Sequence, residues 1–284
     1  MTIKTLKGID LKIIYTAFDK AFADYEVNSM PFDEVMQMIT RRGFNPEISF
    51  GAFENDELVS FTLNGLGNWK GKKTAYDTGT GTIKEFRGKG LAKRIFQESV
   101  PVLKENGITQ YLLEVLQHND KAVNLYKNQA FKISREFDYF TANKSDLKFS
   151  NEKLNNDFDI KEINIPDYNL ASSFWDFQPS WQNTFDSIEQ THQNFKITGA
   201  FKDNELIGYG ITEINTGDIT QLAVSKSHRR KGVGTVLLHG LIDIIQGESI
   251  KIINTEKDKP SIKSFLESIN IQPAGSQYEM IKLL

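Results

Sequence analysis

Arg87-Gly88-Lys89-Gly90-Leu91-Ala92 joins a Gly- and Thr-rich strand, 75–83, to an amphipathic helix, 90–104, that stops at Gly107. A helix start presents N–H groups without intrahelical partners and the positive end of the helix dipole. Glycines lack Cβ, so a ligand can come close to the backbone and φ > 0 is allowed. Arg87 and Lys89 add positive charge. Together these features describe a cradle for a diphosphate. The plain alternative for one such hexapeptide is a solvated basic turn whose glycines serve only helix entry. The turn is not a Walker loop, because Gly90 rather than Ser or Thr follows Lys89. It is not a dinucleotide fingerprint either, because Gly79-Thr80-Gly81 lacks the third glycine at the required place.

The pattern returns as Arg229-Arg230-Lys231-Gly232-Val233-Gly234, 142 residues on. Upstream, Gly51-Ala52-Phe53-Glu54-Asn55-Asp56-Glu57-Leu58-Val59 returns as Gly199-Ala200-Phe201-Lys202-Asp203-Asn204-Glu205-Leu206-Ile207, 148 residues on. This period is far too long for a solenoid, so it signifies two copies of one domain. The length of 284 residues accommodates two cores. The Asn-, Lys-, Ser- and Asp-rich stretch 144–159 reads as the linker, which places the copies at 1–146 and 159–284 with 147–158 between them.

Both copies read as mixed α/β. Leu11, Ile14, Tyr15, Phe18, Phe22 and Tyr25 form one helix face, and Pro31 opens a second helix that Gly43 stops. Strands are expected at 47–53 and 57–63 around an Asn55-Asp56 turn, and then at 75–83. Beyond helix 90–104, in which Pro101 predicts a kink, come a strand at 111–116, a helix at 120–128 and a strand at 131–140. The second copy repeats the order: helices near 168–177 and 184–193, a hairpin at 197–213 and a strand at 218–224. A helix at 233–245, a strand at 250–254, a helix at 261–268 and a last strand at 278–283 follow.

Composition removes whole classes of function. With no cysteine there is no thiolate nucleophile, disulfide scaffold or Cys-bound metal. The four histidines, His118, His192, His228 and His239, lack metal-ligand spacing, so no metal is expected. A net charge of −3 argues against a nucleic-acid partner. No apolar run approaches the ~18 residues of a membrane span. Asp10 and Lys12 interrupt the start where a signal peptide needs its apolar stretch. The expectation is a cytoplasmic protein.

The first copy continues as Leu113-Glu114-Val115-Leu116-Gln117-His118-Asn119-Asp120-Lys121-Ala122-Val123-Asn124-Leu125-Tyr126-Lys127-Asn128-Gln129-Ala130-Phe131. That is a strand, an Asn, a helix carrying Leu-Tyr, and a strand-opening Phe. With the two turns, the chain resembles a tandem member of the GCN5-related N-acetyltransferase (GNAT) superfamily. That family's signatures are Gln/Arg-x-x-Gly-x-Gly/Ala after the fourth strand and, later, Asn-x-x-Ala-x-x-Leu-Tyr-x-x-x-Gly-Phe. The first copy matches both, with Ala130 where Gly is usual.

The resemblance implies an α/β fold (an α+β mixed sheet) of two GNAT-like acyl-CoA N-acyltransferase domains, with acetyl-CoA as cofactor and a small-molecule or peptide amine as acceptor. It assigns the diphosphate to Arg87, Gly88, Lys89, Gly90, Leu91 and Ala92, the oxyanion to a backbone N–H around Gly81, Thr82 and Ile83, and a pantetheine or adenylate contact to Asn119. The plain reading of Asn119 is a helix N-cap. In the second copy the cofactor positions are Leu222, Val224, Arg229, Arg230, Lys231, Gly232, Val233 and Gly234. Tyr126 matches the family's general acid. Because an amine is mostly protonated at neutral pH, a base is also needed: Asp77, Glu114 or a water chain, with Asp77 carried forward as the catalytic partner of Tyr126. A core tyrosine and structural carboxylates are the plain readings of these residues.

The second copy fits the turn signature, but Leu266 stands in the place of Tyr126, Lys259 in that of Asn119 and Asn270 in that of Gly. Leucine donates no proton, so the chemistry is assigned to the first copy. Trp175, Phe177, Trp181 and Phe185 read as packing, with a pocket lining as the alternative. The missing cysteines favour direct attack by the amine in a ternary complex. A non-catalytic acyl-CoA or small-molecule sensor, or a scaffold of degenerate copies, are the other classes; a monomer or homodimer suits each.

Overall fold

The computed structural model describes residues 1–24, 30–149 and 157–284. Its chain divides into two compact units, Met1–Ser134 with Tyr278–Leu284, and Arg135–Gln277.

Unit 1 opens with β1 (Thr2–Thr5), α1 (Leu11–Phe22) and α2 (Phe32–Arg41). Asp10 caps α1 by accepting from Lys12 N–H at 2.8 Å. Of the apolar face read from the sequence, Ile14 is buried and Tyr15, Phe18 and Phe22 pack partly buried on the core of Phe61 and Leu63, joined by Ala17 and Ala21, whereas Leu11 at the first turn is exposed. Tyr25, expected on that face, lies outside the described residues. Strands β2 (Phe50–Glu54) and β3 (Glu57–Trp69) form the expected hairpin. Asn55 and Asp56 turn it with φ of 47° and 64°, the left-handed pair that a two-residue hairpin requires. After β4 (Lys72–Thr82) come α3 (Leu91–Glu105), which continues through Pro101, then β5 (Gln110–Leu116) and α4 (Asp120–Asn128). Unit 2 repeats the series with β7 (Asp159–Glu162), α5 (Tyr168–Phe174), α6 (Phe185–Glu189), β8 (Phe195–Lys202) and β9 (Glu205–Glu213). It continues with β10 (Asp218–Val224), α7 (Val233–Ile244), β11 (Ser249–Glu256) and α8 (Pro260–Ser268). Asp203 and Asn204 turn the second hairpin with φ of 50° and 66°. The short strands β1 and β7, which the sequence reading left out, pair antiparallel with β2 and β8.

The remaining strands are exchanged. The strand expected at 131–140 to finish the first copy is β6 (Lys132–Asn143), and it runs antiparallel to β11 of unit 2. The strand expected at 278–283 to finish the second copy belongs to β12 (Pro273–Leu283), which lies beside β5 of unit 1. Unit 1 therefore has the strand order β1-β2-β3-β4-β5-β12, and unit 2 the order β6-β11-β10-β9-β8-β7. The compact units follow this exchange rather than the 1–146 and 159–284 division. Phe140 joins the core of Ile219, Leu238, Leu241 and Leu266, whereas Met280 joins that of Phe96, Tyr111 and Phe131.

In each unit the middle of the sheet splits open. β4 pairs in parallel with β5 only at Thr74–Tyr76, and β10 with β11 only at Asp218. A register shift against the preceding strand coincides with each parting: Thr78 is the extra residue between Asp77 and Gly79, and Thr220 between Ile219 and Gln221. A bulge bends its strand and sharpens the local twist, so it steers β4 and β10 away from their parallel neighbours.

Candidate active site

Both partings lead into the glycine turns. Ile83 N–H donates to Val59 O at 2.9 Å, and Ser225 N–H to Ile207 O at 2.8 Å. Side-by-side residues of a ladder alternate in direction, so the backbone groups of Thr82 and Val224 point to the opposite side, into the wedge. Ile83, one of the three residues expected around an oxyanion, has its N–H already engaged and its side chain in the buried core. Gly90 and Gly232 cap α3 and α7 in the left-handed conformation, with φ of 73° and 84°. No side chain caps either helix, so their first N–H groups face outward without a side-chain acceptor. Gly88 has φ 76°, and in the second copy Arg230 holds that conformation at 61°. Leu91 and Val233 anchor the turns in the core. Lys89 lies over the Phe86 ring at 4.7 Å.

In the first copy, the wedge holds the two expected catalytic residues. Tyr126 OH donates to Asp77 Oδ2 at 3.3 Å, and Thr80 Oγ1 donates to the same oxygen at 2.7 Å. Asp77 Oδ1 is sealed from solvent and has no hydrogen-bond partner. Desolvation outweighs the hydrogen bonds from Thr80, Tyr126 and the Gly79 backbone and the nearby Arg42 charge, and pushes the Asp77 carboxyl up to about 6. Tyr126 packs edge-on against Phe131, with ring centroids 5.5 Å apart. Glu114, the other candidate base, accepts from Tyr76 OH at 2.8 Å. Asn119 Oδ1 accepts from Ala122 N–H at 3.2 Å, so its side chain serves as the helix cap. His118 is exposed.

In the second copy, the offset that equates the turns also equates Asp77 with Ile219 and Thr78 with Thr220. Ile219 and Leu266 thus occupy the places of Asp77 and Tyr126, and both belong to one buried apolar cluster. The polar pair is replaced as a pair. Ile219 also borders a cavity of about 730 Å³. Its walls include Leu222 and Val224 of β10, Arg229, Arg230, Gly232 and Gly234 of the turn, and Ser261 and Phe265 of α8. Trp175 and Phe177 line it as well, while Trp181 is 6% exposed in the core and Phe185 packs on Tyr209. The expected packing role holds for Trp181, for Phe185 and for Trp175, whose ring lies 5.9 Å from that of Phe185, while Trp175 and Phe177 line the cavity. Among the described residues no cluster of His, Asp or Glu could hold a metal, and no helix is long and apolar enough to cross a membrane.

The model of the acetyltransferase (GNAT) family matches residues 12–131 and 159–267. The chain belongs to that family. Both GNAT regions contain one of the glycine turns. Among curated proteins, N-alpha-acetyltransferase 30 of Schizosaccharomyces pombe is 29% identical over 97 residues, which is 34% of this chain and 65% of that enzyme. This GNAT chain also superposes on a tandem GNAT protein from the clavulanic acid biosynthesis pathway, with a TM-score of 0.72 and 12% identity over 99% of this chain and 98% of that one. A GCN5-related N-acetyltransferase from Sphaerobacter thermophilus gives 0.70 at 12% identity, over 99% and 95%. The solved structures share the fold at these identities.

Sequence reasoning missed Thr80, Arg42, Asp176 and Ser261, and did not pair Asp24 with Arg87. Asp24 and Asp176 meet partners 63 and 53 residues away, which no local pattern reveals. Ile219 did have a signal, because carrying the turn offset back along β10 places it on Asp77.

Proposed function

We propose that this GNAT protein is an acetyl-CoA-dependent N-acetyltransferase that acetylates a primary amine by direct attack in a ternary complex, with its chemistry in the first copy. The observation that carries this reading is the Asp77–Tyr126 contact inside the wedge.

The wedge fits the cofactor. Outward-facing N–H groups at each helix start, left-handed glycines that allow close approach and the cavity in unit 2 match a long, anionic, partly apolar ligand. The amides of 87–92 and 229–234 would hold the diphosphate, and the strand edges at Thr82 and Val224 the arm that leads inward. When bound, acetyl-CoA supplies an acetyl group activated as a thioester.

The chain's own residues then manage protons. At pH 7 a carboxyl with a value of about 6 is mostly ionised yet basic enough to take a proton from an ammonium. Tyr126 holds a proton at its phenol oxygen, which is the acid the departing sulfur needs. Their contact gives a route by which the proton gained at Asp77 restores Tyr126, so that of the two protons the ammonium gives up one ends on the departing sulfur and the other leaves to solvent. In the second copy Ile219 and Leu266 neither take nor give a proton, so it would hold acetyl-CoA without this chemistry.

The curated relative's name makes an α-amine the first acceptor class to try. The decisive measurement is thiol release from acetyl-CoA over a panel of peptide N-termini, lysine, polyamines and aminoglycosides. Tyr126→Phe should slow turnover roughly 100-fold or more while calorimetric binding of acetyl-CoA stays within about twofold. Unchanged turnover would remove Tyr126 from the chemistry. A chain that binds acetyl-CoA but releases no thiol with any amine would instead be a sensor, a second reading that the apolar Ile219–Leu266 pair of unit 2 favours.

A further inference from the structure

The first residue of each turn signature is an arginine, and the sequence alone casts it as a ligand for the diphosphate. In the structure both guanidiniums are engaged elsewhere, in the same way. Arg87 Nε donates to Thr82 O at 3.0 Å and Nη2 to Ala21 O at 2.7 Å, and the guanidinium grips both oxygens of Asp24 at 2.6 and 2.7 Å. Arg229 Nε donates to Val224 O at 3.0 Å, Nη2 to Phe174 O at 2.8 Å and Nη1 to Asp176 Oδ1 at 2.7 Å. Each arginine thus ties the last carbonyl of its bulged strand to the end of the first helix of its copy and to a carboxylate just beyond that helix. The fork geometry of guanidinium suits this three-way tie, whereas an ammonium could keep only part of it. The copies share little sequence here, yet both build the same tie, which marks it as a property of the turn rather than an accident of one loop.

We propose that Arg87 and Arg229 are positioning residues that fasten the first helix of each copy to the cofactor turn, leaving the diphosphate to the backbone amides. This deepens the acetyl-CoA reading and rests on it for the word cofactor. In unit 2 the consequence is visible: Phe174–Phe177 form one wall of the cavity and Arg229 and Arg230 another, so the tie sets the separation of the two walls. Ser261 Oγ, on the first turn of α8, also donates to Asp176 at 2.7 Å, so one carboxylate holds a third element of the same cavity.

The test uses the full chain with Arg87→Gln, Asp24→Asn and the double variant, and Arg87→Lys as the milder change. Two readouts are taken: hydrogen exchange over residues 17–24 and 84–91, and calorimetric binding of acetyl-CoA at low and high salt. Either single variant should raise exchange in both segments about tenfold, and the double variant should add little, because both changes break one tie. Asp24→Asn should leave acetyl-CoA binding unchanged or up to about threefold weaker. If Arg87 were instead a diphosphate ligand held back by Asp24, Asp24→Asn would tighten binding, and Arg87→Gln would weaken it tenfold with a flatter salt dependence. That pattern overturns the proposal, as does unaltered exchange in both variants. Should the wild-type chain bind no acetyl-CoA, the cofactor reading falls, while the exchange measurement still decides whether the tie exists.

Discussion

At equivalent points of two similar folds, the first copy has a carboxylate and a phenol, and the second an isoleucine and a leucine. Asp77 and Tyr126 touch at 3.3 Å in a wedge that leaves one carboxylate oxygen sealed and unbonded. Ile219 and Leu266 lie together in a buried apolar cluster. Removing one partner alone would have left a buried polar group without its mate, which is costly. Changing both keeps the core satisfied and leaves no titratable group at either position. The bulge, the helix cap and the arginine tie are kept in both copies. The copies therefore differ in what they can do to a ligand more than in how they would hold one.

The largest effect is expected where the first copy is made to resemble the second. Asp77→Asn should lower turnover by roughly 100-fold or more at neutral pH. The wild-type rate should rise with pH on a limb centred at about 6, which the variant loses. The same change carries a stability signature. The folded carboxyl binds its proton more tightly than the unfolded one, so stability is lost as pH rises from 3.8 through about 6. Asp77→Asn should therefore raise the melting temperature at pH 8, with the gain disappearing near pH 4. A pH profile unmoved by the variant would remove Asp77 as the base.

The reverse change probes the second copy. Ile219→Asp places an unpaired carboxylate at a site that is 1% exposed and should cost roughly 3–5 kcal/mol in denaturant unfolding. Adding Leu266→Tyr should recover part of that loss by supplying the hydroxyl. Failure of the tyrosine to recover any of it would break the equivalence of the two pairs.

The smallest effect concerns the turns after α4 and α8. Ala130 and Asn270 both adopt left-handed backbone, at φ 64° and 69°. Asparagine tolerates this conformation better than alanine. Ala130→Gly should stabilise by about 0.5–1 kcal/mol, and Asn270→Gly by less. Equal shifts in the two unfolding curves would erase this distinction.

Much of this was legible in the chain. Helix faces recur every three or four residues, and the hairpins are written in Asn-Asp and Asp-Asn turns. The duplicated turns located both glycine-capped helix starts. The strand exchange was not legible, because residues 131–140 and 278–283 are each apolar enough to finish a sheet and nothing local chooses between two similar edges. The arginine tie escaped for a related reason: charge on a glycine turn reads as ligand binding until the distant carboxylate is seen beside it. Thr80, three residues from Asp77, was visible but unremarkable until the bulge placed its hydroxyl on the carboxylate.

The exchange also sets an order of assembly. Unit 2 is one continuous stretch, Arg135–Gln277, and can close its own core as soon as that stretch leaves the ribosome. Unit 1 is interrupted by all of unit 2 and waits for Tyr278–Leu284. Those late residues bring Tyr278 and Met280 into the core that Tyr126 packs against, and Lys282 Nζ onto Gln129 O at 2.8 Å, just past the end of α4. The half of the protein that is made first is thus the last to be finished, and the surroundings of Tyr126 are completed by the final strand.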